Sequence, residues 1–497
     1  MTQPEQSSWD TLSLALANDS SDFAHWEDLT QHALSHLTKS STTLQLSQFR
    51  ITLDQLLLKY PFLEQYWVLY AQKEFQLGET GRAKMVWCRA LSVLPWSLKV
   101  WCEYLKFIKE VGLGYESVLK WFREAEEKCG YHYHAYEFWR MYLEFEEAYH
   151  GKSTFWWNLL KKCTEIPLYN YGYFFKLLFA GIETLKDKET VLKIVDSTEL
   201  KKKLKVDARS EWTDATFHDV RAKLKKTYTD LYITTQFKTF EIYQYEKNVK
   251  LEYYVPRVYQ SYQDLVNWDQ YLSYMEINAL TKPQITQLYH RALIPTANYP
   301  NIWLKFAEYY IHNGKLQSAK NLLYTALGFM TDANLVPVQL KLIKIEMALE
   351  NYIRARDLIL ASLSKNGENV ELLIELMNVE YLLMSQKEVK SEDYVKFVIS
   401  LLNDKPAELG IALLRHLLGF KLLEMDLPAL LEGCKDSLRA SPQFWVLMLS
   451  YAKDGEKVYQ EALKEVGEHE LIVRWRTEHG LLDARDAYAR STAALGV

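Results

Sequence analysis

The feature that most constrains the fold is an internal repeat of about 35 residues. Tryptophans lie 34 and 38 residues apart at Trp67, Trp101 and Trp139, and 35 apart at Trp268 and Trp303. Each begins a similar phrase, with a second aromatic three residues later: Tyr70, Tyr104, Tyr142, Tyr271 and Phe306. This spacing places both rings on one face of a helix. Each phrase therefore predicts a helix whose aromatic face is buried in a core.

A second helical phrase follows each first one by about half a period. It carries a small, a large and a small residue at i, i+4 and i+7, as in Ala83, Trp87 and Ala90. Glycines such as Gly78 and Gly314 stand between the two phrases, where a turn is required. One helix pair cannot bury its own apolar face, so neighbouring pairs must stack. The repeat predicts an all-α fold, an α-solenoid of helix pairs.

The composition agrees with helices joined by short connections. Gly and Pro number 18 and 12, together 30 of 497 residues, which is about half their average usage. So few turn residues argue against a β-sandwich, a barrel or a Gly-rich phosphate-binding fold. Trp, Tyr and Phe make up 14% of the chain, which excludes disorder as a description of the whole molecule.

The repeat loses its register after the third tryptophan. Phe174, the expected start of a fourth aromatic helix, lies 94 residues before Trp268, which is not a multiple of 35. No Gly or Pro occurs between Gly181 and Pro256, so a long helix is predicted near 216–252. We predict three segments: an N-terminal repeat block over 1–185, a basic linker and long helix over 186–250, and a C-terminal repeat block over 251–497.

The linker contains the strongest candidate for a contact with nucleic acid. Residues 201–226 carry nine basic and four acidic side chains. The candidate phosphate contacts are Lys201, Lys202, Lys203, Lys205, Arg221, Lys223, Lys225 and Lys226. Although it contains Trp212 and Phe217, this stretch has no interleaving of aromatic and basic residues of the kind that stacks on unpaired bases. A solvated linker helix is therefore the favoured interpretation, and RNA contact is the alternative.

Motifs of catalysis and metal binding are absent from the sequence. It contains no GxGxxG, GxxxxGK[ST], HExxH or GxSxG. His132 and His134 form a pair without Cys or His partners at ligand spacing, so we expect a structural role. Glu146 belongs to the repeat phrase, whereas Glu144 and Glu147 are expected on a hydrated edge. We predict a protein that is not an enzyme and that holds no cofactor or metal.

Charge and cysteine usage limit the compartment. The formal charge is −5, too close to neutral for a protein that wraps nucleic acid with its whole surface. Five scattered cysteines predict reduced thiols, most of them in the core, with Cys88 and Cys102 among the packed ones. The first thirty residues contain no Lys or Arg, and the apolar stretches are short or interrupted by charge. We expect a soluble protein of the cytoplasm or nucleus.

The two phrases resemble the half-a-tetratricopeptide (HAT) repeat. The second phrase ends in Arg-Ala-Leu at Arg89–Leu91 and again at Arg291–Leu293, as HAT repeats do. Further phrases are similar to pre-mRNA-processing factors 39 and 42. They are Lys59-Tyr60-Pro61-Phe62, Glu165-Ile166-Pro167-Leu168, Leu200-Lys201-Lys202-Lys203-Leu204-Lys205 and Arg291-Ala292-Leu293-Ile294-Pro295. The resemblance covers about residues 50–330 and does not separate the two branches.

The resemblance implies a non-catalytic scaffold in the nucleus. Members of this family belong to the U1 small nuclear ribonucleoprotein, which recognises the 5′ splice site early in spliceosome assembly. They dimerise through their C-terminal repeats, either as a homodimer or with a paralogue, so U1 proteins and a second subunit are the implied partners. The alternatives are another RNA-processing HAT scaffold, in mRNA 3′-end cleavage and polyadenylation or in ribosomal RNA processing, and a tetratricopeptide-type adaptor that binds peptides.

The C-terminal sequence gives a separate reason to expect self-association. Its helices are rich in leucine pairs, including Leu413-Leu414, Leu417-Leu418, Leu422-Leu423 and Leu430-Leu431. A helix that is apolar on more than one face requires more than one neighbour, and a second chain can provide it. The alternative is that these leucines pack within the last repeats of the same chain.

Overall fold

A computed structural model describes residues 3–20, 22–35, 37–195, 212–256, 258–279, 281–367, 369–386, 391–419, 427–452 and 454–478. Every regular element in these ranges is a helix, and consecutive helices pack as pairs. The predicted all-α class of stacked helix pairs is therefore confirmed. Contacts divide the chain into two compact units, Met1–Ala297 and Asn298–Val497. The three-segment division made from the sequence stays a prediction about the repeat blocks.

The first unit contains fourteen of the helices that the structure describes from end to end. They are α1 Gln3–Asn18, α2 Phe23–Ser35, α3 Thr43–Lys59, α4 Glu64–Gln76, α5 Thr80–Val93, α6 Leu98–Val111, α7 Tyr115–Cys129, α8 Tyr136–His150, α9 Thr154–Glu165, α10 Tyr171–Glu183, α11 Lys188–Ile194, α12 Asp214–Glu246, α13 Tyr262–Asn278 and α14 Lys282–Leu293.

The second unit continues with eleven helices in the described ranges. They are α15 Pro300–His312, α16 Leu316–Leu327, α17 Asp332–Ala348, α18 Tyr352–Asn366, α19 Val370–Gln386, α20 Ser391–Asn403, α21 Ala407–Gly419, α22 Leu427–Gly433, α23 Lys435–Leu438, α24 Pro442–Tyr451 and α25 Gly455–Val466.

Glycines end the first helix of several pairs, as the sequence predicts. Gly112 follows α6 with a φ of 75°, and Gly314 follows α15 with a φ of 71°. Only glycine adopts this left-handed conformation without a steric penalty, so the chain reverses there within a few residues. The following helix then packs against the one before it, α7 on α6 and α16 on α15.

The repeat tryptophans bond to the turn that precedes their own helix. In four repeats the indole Nε1 donates to the carbonyl oxygen six residues earlier: Trp26 to Ser20 (3.0 Å), Trp67 to Pro61 (2.9 Å), Trp101 to Pro95 (2.8 Å) and Trp445 to Arg439 (2.7 Å). Trp139 bonds instead to Gly130, nine residues earlier, at 2.8 Å. A buried indole N–H is stabilised by a partner, so each of these five tryptophans fixes the entry of its helix while its ring fills the core.

The ten aromatic residues that the sequence assigns to the repeat core all lie in the interior. Trp67, Tyr70, Trp101, Tyr104, Trp139, Tyr142, Trp268, Tyr271, Trp303 and Phe306 are each at most 4% exposed. One earlier repeat, at α2, was not predicted from the sequence. Trp26 and Leu29 of α2 are also buried, but the 41 residues from Trp26 to Trp67 exceed the period of the others.

The long helix α12 begins near its predicted position and ends about two turns earlier than predicted. Thr213 caps its amino end, because its hydroxyl accepts the amide of Thr216 while the Thr216 hydroxyl accepts the Thr213 amide. The helix ends at Glu246 rather than near residue 252. The chain leaves the helix there, and Glu252 is thereby brought to the same arginine, Arg291, that Glu246 binds.

The leucine-rich C-terminal helices form one cluster within the second unit. Its buried members include Leu413, Leu414, Leu430, Leu431, Leu438, Phe444 and Trp445, and Leu417 packs against them. Leu422 and Leu423 lie outside the described residues. The buried members of this cluster pack within the last repeats of the same chain, and self-association through the C-terminal block stays a prediction. The echo of the repeat at Phe444-Trp445 is a helix pair, α24 and α25, with the same indole bond to the preceding turn.

No helix among the described residues is long and apolar enough to cross a membrane.

The buried tryptophans yield a stability prediction. Trp67→Ala and Trp303→Ala should each lower the free energy of unfolding by about 3–5 kcal/mol, because each removes a large ring from a packed core. Leu58→Ala is the control, since Leu58 is 84% exposed and its loss should change stability by less than about 0.5 kcal/mol. Denaturant unfolding of the four proteins measures this. A tryptophan variant as stable as the control contradicts the assignment of these rings to the core.

Candidate interaction site

Buried glutamates near the ends of several helices bind side chains of neighbouring helices. Glu74 accepts two bonds from the Arg50 guanidinium, at 2.7 and 2.9 Å. Glu146 accepts the hydroxyls of Tyr115 at 2.8 Å and Ser153 at 2.9 Å. A buried carboxylate without such partners would cost several kcal/mol. The partners therefore fix which helices can lie side by side.

The same arrangement recurs in the second unit. The Glu346 carboxylate is fully buried and accepts bonds from Lys320 at 3.1 Å, Tyr324 at 2.9 Å and Asn351 at 2.8 Å. Burial raises the pKa of Glu346, but these three bonds outweigh that effect and leave the pKa below its usual value. The glutamate therefore stays charged, and α16 and α17 are joined through it.

The most extensive of these networks surrounds Arg291 in the first unit. Its guanidinium binds both oxygens of Glu246, at 2.6 and 2.9 Å, and one oxygen of Glu252, at 2.9 Å. The Tyr271 hydroxyl donates to Glu246 at 2.7 Å, and the Trp268 ring lies 5.6 Å from the guanidinium carbon. Burial lowers the pKa of Arg291, but Glu246 more than compensates and raises it. The Arg291 guanidinium therefore stays charged.

His134 extends this network to the loop between α7 and α8. Its Nε2 lies 3.3 Å from Glu252. The bond from His134 is the largest influence on Glu252 and, with Arg291, lowers its pKa to about 2 against the opposing effect of burial. Nearby His132 is half-buried, and its desolvation together with the charge of Arg291 keeps its pKa well below the usual value. In this histidine pair, the His134 ring is therefore bonded to an acid and the His132 ring is neutral, an arrangement that suits the predicted structural role.

Helix α14 packs directly on the turn that follows α7. The Gln287 amide accepts the Tyr131 N–H at 2.8 Å and donates to the Glu127 carbonyl at 2.7 Å. The half-buried ring of His290 stacks on Trp96 with 4.3 Å between centroids. Burial, and secondarily Lys128, lowers the pKa of His290 to about 3. These contacts join residues 156 to 194 positions apart, and α13 and α14 belong to the first unit.

His134, Glu246 and Glu252 also offer donor atoms close enough for a metal ion, all within 4.8 Å of one another. The Arg291 guanidinium, however, binds both carboxylates. A metal would have to displace a buried arginine that is bonded to each of them, so the arrangement favours a structural ion-pair network.

The basic residues singled out from the sequence divide into two groups. Lys201, Lys202, Lys203 and Lys205 lie outside the described residues. Arg221, Lys223, Lys225 and Lys226 lie on α12. Three of these four make contacts within the chain. Lys225 pairs with Glu183 at 2.6 Å, Lys223 pairs with Asp219 at 2.7 Å, and Arg221 reaches the Glu183 carbonyl at 3.5 Å. Their contact with RNA stays a prediction.

Other side chains weighed from the sequence lie mostly where they were expected. Glu146 is buried, while Glu144 and Glu147 are exposed. Four of the five cysteines are buried and all five are free thiols. Burial raises the pKa of Cys102 to about 12. Cys88 is a correction, because it is exposed on α5 rather than packed. It follows the buried Trp87 and therefore points away from the core.

Sequence comparisons match both parts of the chain to one family. The family model described as the PRP39 N-terminal HAT repeat matches residues 10–178, and the PRP39 C-terminal HAT repeat matches residues 240–381. The chain is 31% identical over 374 residues to U1 small nuclear ribonucleoprotein component PRP42 of Saccharomyces cerevisiae, covering 73% of this chain and 68% of that protein.

More distant relatives carry the name pre-mRNA-processing factor 39. The Schizosaccharomyces pombe protein is 26% identical over 320 residues, covering 61% of this chain and 52% of the relative. The Homo sapiens protein is 21% identical over 335 residues, covering 62% and 48%. The chain thus spans about half the length of these two proteins.

A solved structure shares the fold. The crystal structure of CstF-77 aligns with a TM-score of 0.50 at 11% identity, covering 86% of this chain and 89% of that one. At this identity the likeness concerns the fold alone, and it confirms the predicted helical solenoid.

The Arg291 network yields a second stability prediction, with a control in the same motif. Arg291→Ala should destabilise the protein by about 3–5 kcal/mol, because the buried Glu246 carboxylate and the half-exposed Glu252 carboxylate lose their cation. Arg89 begins the same Arg-Ala-Leu motif, but its pair with Asp54 is about half exposed on both sides, so Arg89→Ala should cost less than about 1 kcal/mol. Unfolding in urea measures both. Equal losses of stability in the two variants would show that the buried Arg291 network stabilises the protein no more than an exposed ion pair does.

Proposed function

The chain belongs to the PRP39 family of HAT-repeat proteins, and from that premise we propose that it is a non-catalytic scaffold subunit of the U1 small nuclear ribonucleoprotein. It acts there in pre-mRNA splicing, during recognition of the 5′ splice site, through contacts with other proteins. The observation that carries the proposal is the 31% identity to a U1 component over 68% of that protein's length. A splicing role places the protein in the nucleus.

The use of the motif residues is consistent with a scaffold. The tryptophans, tyrosines and glutamates that define the repeat pack one helix pair against the next. The chemistry that such a protein offers to its partners therefore lies in the side chains that vary between repeats, on the outer surfaces of the helices. That arrangement suits a subunit that positions other proteins.

Two other functions remain as alternatives. A scaffold of mRNA 3′-end cleavage and polyadenylation is suggested only by the shared fold of CstF-77, at 11% identity. The second alternative is a tetratricopeptide-type adaptor, which would be expected to clamp the carboxylate of a bound peptide. Direct RNA contact through α12 is a secondary proposal, since Lys223 and Lys225 pair with acids of the same chain.

Affinity purification tests the assignment to the U1 particle. The tagged chain, expressed in its own cells, should recover U1 small nuclear RNA and the U1 proteins in excess over other spliceosomal RNAs. The control is the destabilised variant Trp67→Ala, which should lose this association. Recovery of polyadenylation factors, or of chaperones, without U1 RNA would contradict the proposal and favour one of the alternatives.

We further propose that the chain pairs with a second subunit through its C-terminal block. The leucine cluster is already used within the chain, so the pairing surface must be sought elsewhere in that block. Helix α18 carries Ile353 and Leu360, which are 63% and 49% exposed and lie seven residues apart on one face. A partner that covered this face would bury both.

Light scattering on the purified chain, alone and with a paralogue, measures the pairing. A dimer is expected at micromolar concentration, and Ile353→Glu/Leu360→Glu should return it to a monomer with an unchanged helical spectrum. Ile277→Glu is the control, because Ile277 is 82% exposed and lies in the first unit. A full-length monomer that also ignores its paralogue would refute the pairing. A dimer that survives the double substitution would place the interface elsewhere.

A further inference from the structure

An open groove of about 540 Å³ lies between α3 and α5, lined at its base by Tyr70 of α4. Its volume is within the range of sites that hold small ligands or a few peptide side chains. Met85 stands at its edge with 61% of its surface exposed, and Val86 and Tyr70 are buried beneath. A methionine side chain adapts readily to an apolar partner. The groove can therefore receive one large apolar side chain.

The charges around this α3–α5 groove are unbalanced. Both carboxylates that line it are already paired, Glu74 with Arg50 at 2.7 Å and Asp54 with Arg89 at 2.7 Å. Arg82 and Lys84 line the same groove, are exposed, and form no ion pair with any residue that the structure describes. Two cations are thus left to face solvent beside the apolar surface, and negative charge on a partner would complement them.

Equivalent positions in the next repeats do not share this property. Between α5 and α7 the corresponding space is occupied by Trp121, whose ring packs edge-on against Tyr104 at 5.0 Å. Between α7 and α9 a second groove of about 530 Å³ lies over Tyr142. There Lys162 pairs with Glu126, and the Arg123 guanidinium lies 5.9 Å from the Phe155 ring. An open groove with uncommitted cations is a feature of the α3–α5 position among these three.

We propose that the α3–α5 groove docks an extended acidic segment of a partner protein, with one large apolar side chain inserted over Tyr70 and acidic residues bound by Arg82 and Lys84. Arginine binds a carboxylate through two parallel bonds, whereas lysine acts as a mobile point charge, so the pair tolerates some variation in the spacing of the acids. This docking is independent of the proposed assignment of the chain to the U1 particle.

The position of Cys88 makes the proposal measurable on the intact protein. Cys88 lines the groove and is exposed, whereas the other four cysteines are buried. Alkylation of the native chain by N-ethylmaleimide therefore reports on this one thiol. An occupant of the groove must slow the reaction.

The probe is a fluorescein-labelled peptide with one phenylalanine flanked on each side by four aspartates. Its binding to the full chain is followed by fluorescence anisotropy, and Cys88 alkylation is followed by mass spectrometry at saturation. Binding should weaken about tenfold for a peptide in which asparagine replaces all the aspartates, because charge-assisted contacts are lost. For the same reason, the original peptide should bind the variant Arg82→Glu/Lys84→Glu about tenfold more weakly. Cys88 alkylation should slow about fivefold or more in the wild-type complex, because the bound peptide covers the thiol.

The control Lys186→Glu/Lys315→Glu changes the net charge by the same amount on exposed positions away from the groove, and should bind as the wild type does. Helical spectra verify that all variants fold. Failure of the peptide to bind, equal binding by the two double variants, or an unchanged rate at Cys88 overturns the proposal. Protection of Cys88 by single-stranded oligouridylate but not by the acidic peptide would also overturn it and indicate an RNA site.

Discussion

Buried carboxylates that must find a cation or hydroxyl on a neighbouring helix determine how this chain stacks its repeats. Aromatic faces would pack in several registers, since any large ring can fill apolar space. A buried charge tolerates only an arrangement that pairs it. Glu74 meets Arg50, Glu146 meets Tyr115, and Glu246 meets Arg291. Hydrophobic burial drives association of the helices, and these bonds select one alignment among the many that burial alone would allow.

The local part of the fold could be predicted from the sequence, and the long-range part could not. Helix pairs follow from the tryptophan period, and the long α12 follows from a stretch without Gly or Pro. The Arg291 network escaped prediction because Glu246, Glu252 and His134 belong to three segments whose proximity depends on how the chain returns after α12. Arg291 and Arg89 occupy the same position of the Arg-Ala-Leu motif. Nothing in the sequence, however, indicates that only Arg291 is buried.

The same division explains why the candidate sites are less predictable than the fold. Packing residues recur in every repeat, so their pattern is visible along the chain. Surface residues such as Arg82 or Lys225 do not recur, and their role depends on whether an acid of the same chain reaches them. Lys225 has Glu183 beside it, whereas Arg82 lies over an open groove. A scaffold of this kind presents distinct surfaces on a uniform framework.

Bonds between α14 and the turn after α7 should make the described residues up to 297 one cooperative unit. Native-state hydrogen exchange in increasing urea shows whether they do, because it reports which segments open together. We expect the amides of Leu98–Val111 and Tyr115–Cys129 to lose protection in the same transition as those of Tyr262–Asn278 and Lys282–Leu293. If Lys282–Leu293 opened together with Pro300–His312 while Leu98–Val111 stayed protected, the bonds of α14 would not form such a unit.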